Sequence, residues 1–94
     1  MNCVAMKVIL KNINDPYSLL WSRNGKYLTF NGTIGQVKGV WLLNTSSNDI
    51  QLIFDGYLGL GGWSSDGNRL LGIHRIGDTE QEEIVILELS AIIN

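Results

Sequence analysis

The 94-residue sequence has few of the residues that build covalent links, metal sites and most catalytic sites. Cys3 is its only cysteine, so the chain can form neither an internal disulfide bond nor a zinc site made of cysteines. His74 is its only histidine and has no Gly-x-Ser-x-Gly motif nearby, so a Ser-His-Asp or Cys-His catalytic group is not expected. We therefore predict a protein that is not an enzyme and that carries no cofactor and no metal ion.

Positive charge and long apolar runs are also scarce. Seven Lys and Arg residues stand singly against nine Asp and Glu residues, whereas a nucleic-acid surface needs clustered positive charge. No apolar run approaches the ~18 residues of a membrane span, and Lys7 interrupts the apolar start of the chain. We expect no nucleic-acid partner, no membrane partner and no signal peptide, and the single cysteine fits a reducing compartment such as the cytoplasm.

What the sequence does contain is an internal repeat. The residues Trp21-Ser22-Arg23-Asn24-Gly25 return as Trp63-Ser64-Ser65-Asp66-Gly67, and Leu28 and Leu70 follow at the same 42-residue spacing. A fixed period of this length is typical of repeat architectures. Because Asn-Gly and Asp-Gly favour tight hairpins, we predict a strand, a type I′ turn and a second strand in each copy.

Short aliphatic and β-branched runs bounded by turn residues predict further strands. In the notation of a four-stranded unit, the strands are a at 17–22 and 59–64, b at 27–30 and 69–74, c at 39–44 and 83–89, and d at 49–54. Within residues 3–10, Lys7-Val8-Ile9-Leu10 resembles residues 51–54 in polarity, so residues 3–10 are predicted to be a leading outer d strand. The fold class is therefore all-β, with the strand order d-a-b-c-d-a-b-c over the single unit 1–94.

The repeated Trp-Ser-x-Asn/Asp-Gly-x-x-Leu motif, with an apolar strand after it, resembles the WD-like repeat of TolB and of the propellers attached to prolyl oligopeptidase-type peptidases. Residues 17–89 cover nearly two such units, around 17–54 and 59–89. Arg23 and Ser65 stand where the family has Pro, and Gly72 replaces the aromatic residue that Phe30 supplies in the first copy. The resemblance implies two four-stranded antiparallel β-propeller blades and a binding role, and it does not select an activity.

Self-association is expected from the two c strands. Both are apolar without alternation, which is typical of a strand covered on both faces, and two blades alone would leave their outer sides exposed. The out-of-phase order favours association of copies, because the leading d strand can complete a sheet that another copy leaves open. A homotrimer with six blades is the favoured assembly. A slice of a longer propeller and a monomeric eight-stranded sandwich are the alternatives.

A ligand site on such a scaffold is expected at the end that carries the d–a and b–c connections, where loops vary over a rigid framework. The candidate ligand-binding residues at that end are Asp15, Tyr17, Asp55, Tyr57, His74 and Arg75. Ordinary polar turn residues are the alternative explanation for all six. The three tryptophans, Trp21, Trp41 and Trp63, are predicted to pack in the core.

These observations favour an oligomeric, non-catalytic scaffold that binds another protein or a small ligand. Part of a larger propeller, such as a peptidase-associated or TolB-like domain, is the first alternative. A carbohydrate-binding lectin that uses the aromatic residues of the loop end is the second.

Overall fold

The computed structural model describes residues 4–93, which form seven β-strands and no helix. The strands are β1 (Ile13–Trp21), β2 (Tyr27–Ile34), β3 (Val37–Asn44), β4 (Ile50–Asp55), β5 (Gly59–Trp63), β6 (Arg69–Arg75) and β7 (Glu82–Glu88). They form two antiparallel sheets, sheet 1 in the order β1-β2-β3-β4 and sheet 2 in the order β5-β6-β7. The all-β, antiparallel prediction is confirmed. Within these residues, no helix is long and apolar enough to cross a membrane.

The leading strand predicted at 3–10 is not formed in the single chain. Cys3 lies outside the described residues, and residues 4–12 have no regular secondary structure before β1 begins at Ile13. A strand needs a neighbour to take up its backbone hydrogen bonds. Ile9 and Leu10 instead lie against a face of sheet 1, where they cover buried side chains of β2 and β3.

The two repeat turns share one hydrogen-bonding pattern, which differs from the predicted type I′ turn. In the first turn, Ser22 accepts a bond at its carbonyl oxygen from the Gly25 N–H (3.0 Å) and another at Oγ from the Tyr27 N–H (3.0 Å). The second turn repeats both bonds 42 residues later. Positive φ occurs only at the glycine of each turn, 73° at Gly25 and 78° at Gly67, whereas type I′ needs it at both central residues. The serine hydroxyl therefore supports a wider loop than the Asn-Gly and Asp-Gly pairs alone predict.

Sheet 1 buries both of its faces. Its outer face carries Leu28, Phe30, Trp41 and Leu43, and the segment that precedes and begins β1 packs on it. Its inner face carries Thr29, Asn31, Val40 and Leu42 and packs towards sheet 2. Five consecutive residues of β3, from Gly39 to Leu43, are buried, as its unbroken apolar sequence predicts.

Sheet 2 buries only the side that packs against sheet 1. Leu70 of β6 joins Val40 and Leu42 of sheet 1 in the main core, together with Leu58, Leu89 and Ile93. The radius of gyration is 14.3 Å, compared with about 12 Å for a compact domain of this length. The described chain is therefore more extended than a compact domain of this length.

Candidate functional site

An exposed apolar surface lies on the outer face of sheet 2, on the side away from sheet 1. Four residues form it as two cross-strand pairs, Leu71 with Ile86 and Ile73 with Ile84. Their exposed fractions are 43% for Leu71, 56% for Ile86, 47% for Ile73 and 79% for Ile84. Because clustered exposed apolar side chains mark interaction surfaces, this face is a candidate contact site.

The outer face of sheet 2 is the repeat equivalent of the inner face of sheet 1. Residues of β6 lie 42 positions after their equivalents in β2, and residues of β7 lie 44 positions after their equivalents in β3. The cross-strand pairs agree, since Thr29–Leu42 corresponds to Leu71–Ile86 and Asn31–Val40 corresponds to Ile73–Ile84. The first set is buried in the contact between the sheets, and the second set is exposed. The chain thus contains one covered and one uncovered version of the same face.

The tryptophans show the same asymmetry. Trp63 is half-buried and packs against the core between the sheets. Its equivalent, Trp21, is 56% exposed, so the prediction that Trp21 packs in the core is wrong for the single chain. Trp21 pairs with Leu28 on the outer face of sheet 1, where no second sheet lies against it. Trp41 is buried, as predicted.

Asn31 fixes the connection between the two sheets. Its fully buried side chain donates from Nδ2 to the Leu58 carbonyl oxygen (2.6 Å) and accepts at Oδ1 from the Leu58 N–H (2.9 Å). These two bonds satisfy both backbone groups of Leu58 as a neighbouring strand would. The connection after β4 is therefore held against β2, and it places the adjacent Tyr57 at the strand ends.

Two of the predicted ligand residues meet beside this connection: Tyr57, which belongs to it, and Tyr17, which lies in the middle of β1. Their ring centroids are 5.5 Å apart with the rings nearly perpendicular. The Thr33 hydroxyl lies 3.1 Å from the Tyr57 hydroxyl, and Lys38 Nζ lies 5.9 Å from the Tyr57 ring centroid. Burial, and to a lesser degree the charge of an ionised Tyr57, raises the pKa of Tyr17. The Tyr17 phenol therefore stays protonated at neutral pH and can donate a hydrogen bond.

An open pocket of about 310 Å³ lies beside these rings and is called the tyrosine pocket below. It is lined by Tyr17, Tyr57, Leu58, Gly59, Ile73, Arg75 and Glu82. Its chemistry combines aromatic edges, one guanidinium group and one carboxylate. Ile73 also belongs to the outer face of sheet 2, so the pocket borders that face.

The other three predicted ligand residues lie outside the tyrosine pocket. Asp15 is exposed within β1, with φ of 51°, where the β1–β2 register shifts. Asp55 is exposed at the end of β4. The ring of His74 packs edge-on against Phe54 (5.4 Å between centroids), and its Nδ1 lies 3.0 Å from Glu83 Oε1. The six predicted residues share one end of the sheets, yet only Tyr17, Tyr57 and Arg75 come together in the pocket.

Three polar residues near the tyrosines were not predicted. Thr33 and Lys38 face each other across β2 and β3, and Glu82 faces Arg75 across β6 and β7. Each flanks a b–c connection, which was the available signal in the sequence. Within residues 4–93, no three His, Cys, Asp or Glu side chains are grouped in a way that could hold a metal ion.

Comparison of the chain with protein-family models, with curated proteins and with solved structures finds no match.

Proposed function

We propose that this protein is a non-catalytic scaffold, assembled from several identical copies, that presents the tyrosine pocket to another protein or to a small ligand. Each sheet acts as one blade of a β-propeller of the WD-like kind that the repeat resembles, and three copies close a six-bladed ring. The observation that carries the proposal is the exposed outer face of sheet 2, because its equivalent in sheet 1 is buried against a second sheet.

The surface that receives this face is the outer face of sheet 1 in the next copy. Trp21 on that side is the equivalent of Trp63, which packs at the contact between the two sheets of one chain. The contact between copies therefore repeats the contact within the chain. It joins two different surfaces head to tail, and such interfaces generate rings when the rotation closes. Each Leu or Ile side chain that becomes fully buried contributes ~1.5–3 kcal/mol.

The assembly is tested by measuring molar mass with light scattering after gel filtration. The wild type is expected at three times 10.4 kDa. Ile86→Lys puts a charge on the outer face of sheet 2. The Ile86 side chain is more than half exposed in the single chain, so the variant should still fold. We expect a monomer, because association would bury the charge. Ile76→Lys makes the same kind of change at an exposed apolar residue in the β6–β7 connection, outside the outer face of sheet 2, and should leave the mass unchanged. A wild-type monomer at high protein concentration, or equal effects of the two variants, contradicts the proposal.

A carbohydrate ligand is the second candidate function, favoured by the paired tyrosine rings beside polar groups. Aromatic side chains with polar tips bind ligands through apolar ring contact combined with hydrogen bonds, and sugars offer partners for both. We expect a glycan array probed with the wild type to give binding that Tyr57→Ala abolishes. Tyr57→Phe, which keeps the aromatic ring, should retain part of the glycan binding. An array on which the wild type binds no glycan excludes this function.

A further inference from the structure

We propose that residues 6–11 of one copy add an antiparallel strand to the outer edge of β7 in a neighbouring copy, in the register in which β4 pairs with β3. This inference rests on the assembly proposed above and names the backbone contact that joins the copies.

The two sheets differ by one strand. β3 has β2 on one edge and β4 on the other, whereas its repeat equivalent β7 has β6 on one edge and, within residues 4–93, no strand on the other. An unpaired edge presents a row of backbone N–H and C=O groups that can pair with another chain. The missing strand is therefore the equivalent of β4.

The segment before β1 resembles β4 in sequence. Lys7-Val8-Ile9-Leu10 corresponds to Gln51-Leu52-Ile53-Phe54 at a spacing of 44 residues, the same spacing that relates β3 to β7. Ile53 and Phe54 pack against the core cluster that contains Leu70 of sheet 2. At the equivalent places, Ile9 and Leu10 pack on the outer face of sheet 1. The segment therefore already lies on the surface that the neighbouring copy is proposed to cover.

The backbone of this segment is available for pairing. Residues 4–8 are exposed and carry no regular secondary structure, although Val4, Met6 and Val8 are apolar. Addition of a strand to an open sheet edge takes its affinity from main-chain hydrogen bonds and its specificity from alternate side chains.

The register of the proposed strand pairing places compatible side chains opposite each other. In the repeat, β7 residues lie 44 positions after their β3 equivalents, and the segment before β1 lies 44 positions before its β4 equivalent. The β3–β4 pairs Gly39–Asp55 and Val40–Phe54 therefore predict the pairs Glu83–Lys11 and Ile84–Leu10. The first of these sets opposite charges face to face, and opposite charges stabilise cross-strand pairs. The second sets two apolar side chains together.

A disulfide cross-link tests this register. Lys11→Cys and Glu83→Cys are combined with Cys3→Ser, so that the two new thiols are the only ones, and the oxidised protein is run on a denaturing gel without reductant. We expect a ladder of covalent multimers, because directly paired residues have Cα atoms about 4.5–5.5 Å apart, within reach of a disulfide. The matched control replaces Glu88 instead of Glu83, which moves the second thiol five residues along β7, roughly 17 Å. It should give little cross-linking.

Three results would overturn the strand addition: no cross-link, equal cross-linking of the control, or a disulfide confined to single chains. If the wild type is still multimeric and Ile86→Lys is monomeric, the assembly stands and only the strand addition fails. If the wild type is monomeric, both fail.

A proline scan gives an independent measurement. Val8→Pro removes one backbone N–H from the proposed strand, whereas Val4→Pro makes the same change outside it. Since both side chains are exposed in irregular segments, neither change should unfold the single chain. We expect Val8→Pro to shift the molar mass towards the monomer and Val4→Pro to leave it unchanged, and equal masses would count against the proposal.

Discussion

At the scale of single residues, the indole nitrogens of Trp41 and Trp63 have opposite surroundings. Trp41 Nε1 donates a 3.0 Å hydrogen bond to the Gly32 carbonyl oxygen, while Trp63 Nε1 is buried and has no partner within residues 4–93. Replacing an indole by a phenyl ring removes similar apolar volume at both positions. The comparison of the two sites therefore contrasts a buried donor that has an acceptor with a buried donor that has none.

We predict that Trp41→Phe lowers the free energy of unfolding by about 1 kcal/mol or more beyond the effect of Trp63→Phe, since only the first change leaves an acceptor without its donor. Urea unfolding of both variants, followed by circular dichroism at one protein concentration, measures the difference. Equal losses would show that the Trp41 bond contributes nothing net.

Asp66 gives the second repeat turn an acid sensitivity that the first turn lacks. Hydrogen bonds from the Ser64 hydroxyl, and next from the Asn68 N–H, hold the pKa of the Asp66 carboxyl below its usual value. Because the folded pKa is the lower one, the stabilisation is complete above the unfolded value of about 3.9 and is lost as pH falls through the folded pKa. Asn24 fills the same place in the first turn with the same hydrogen bonds.

We therefore expect wild-type protein to lose more stability than Asp66→Asn when the pH is lowered from neutral to about 3. Urea midpoints at the two pH values provide the comparison. Parallel losses in the two proteins would assign the acid sensitivity to other carboxylates.

At the scale of strands, Gly39 is the residue on which the β3–β4 pairing depends. A Cβ at this position would contact Leu52 Cδ1 too closely and would lie 2.6 Å from the Phe54 carbonyl oxygen. Backbone cannot move away as a flexible side chain can. At Gly59 of β5, by contrast, the nearest atoms to an added Cβ belong to Ile73 at 3.9 Å.

Gly39→Ala should cost roughly 1–3 kcal/mol of stability through this overpacking, and Gly59→Ala should stay within about 0.5 kcal/mol of wild type. Thermal and urea unfolding of both variants test this. A tolerated alanine at position 39 would mean that β4 can shift away from β3.

The strands themselves follow from local patterns, which is why most of them were predictable. The repeated Trp-Ser motif and the apolar run of β3 identify hairpins and a doubly covered strand, and both depend on neighbours close in sequence. The turn type was not predictable, because the Ser22 hydroxyl supports a wider loop. The exposure of Trp21 was missed for a different reason, since burial depends on whether a second sheet covers that side.

The candidate site was predictable only in part. Tyr17 and Tyr57 were identified because they flank strand ends, but their meeting requires the register shifts in β1 and the buried contacts of Asn31 with Leu58. Neither of these long-range features has a signal in the local sequence. The same limit explains why Lys38 and Thr33, which face each other across a hairpin, were not selected.

At the scale of the whole molecule, stability and assembly should be linked. The radius of gyration exceeds that of a compact domain of equal length by about 2 Å, so the single chain is more extended than such a domain. Burial between copies would add to the stability of the folded state by mass action.

We predict that the thermal midpoint of the wild type rises with protein concentration and that the midpoint of Ile86→Lys does not, because only the wild type gains contacts between copies. Differential scanning calorimetry over a wide concentration range measures both. A midpoint independent of concentration in the wild type, together with a monomeric mass, would identify the single chain as the stable unit.

The contact of Asn31 with Leu58 has a consequence for any closed assembly of this chain. It ties β2 of sheet 1 to the connection that leads into sheet 2 inside one polypeptide, whereas Ile73, the equivalent of Asn31 in sheet 2, cannot make these bonds at a junction between copies. Because each chain contributes two sheets, every closed ring of identical copies contains an even number of sheets, and rings of five or seven sheets are excluded. The short connection at 56–58 joins the two sheets of each chain, so inserting residues there should change how many copies complete the circle.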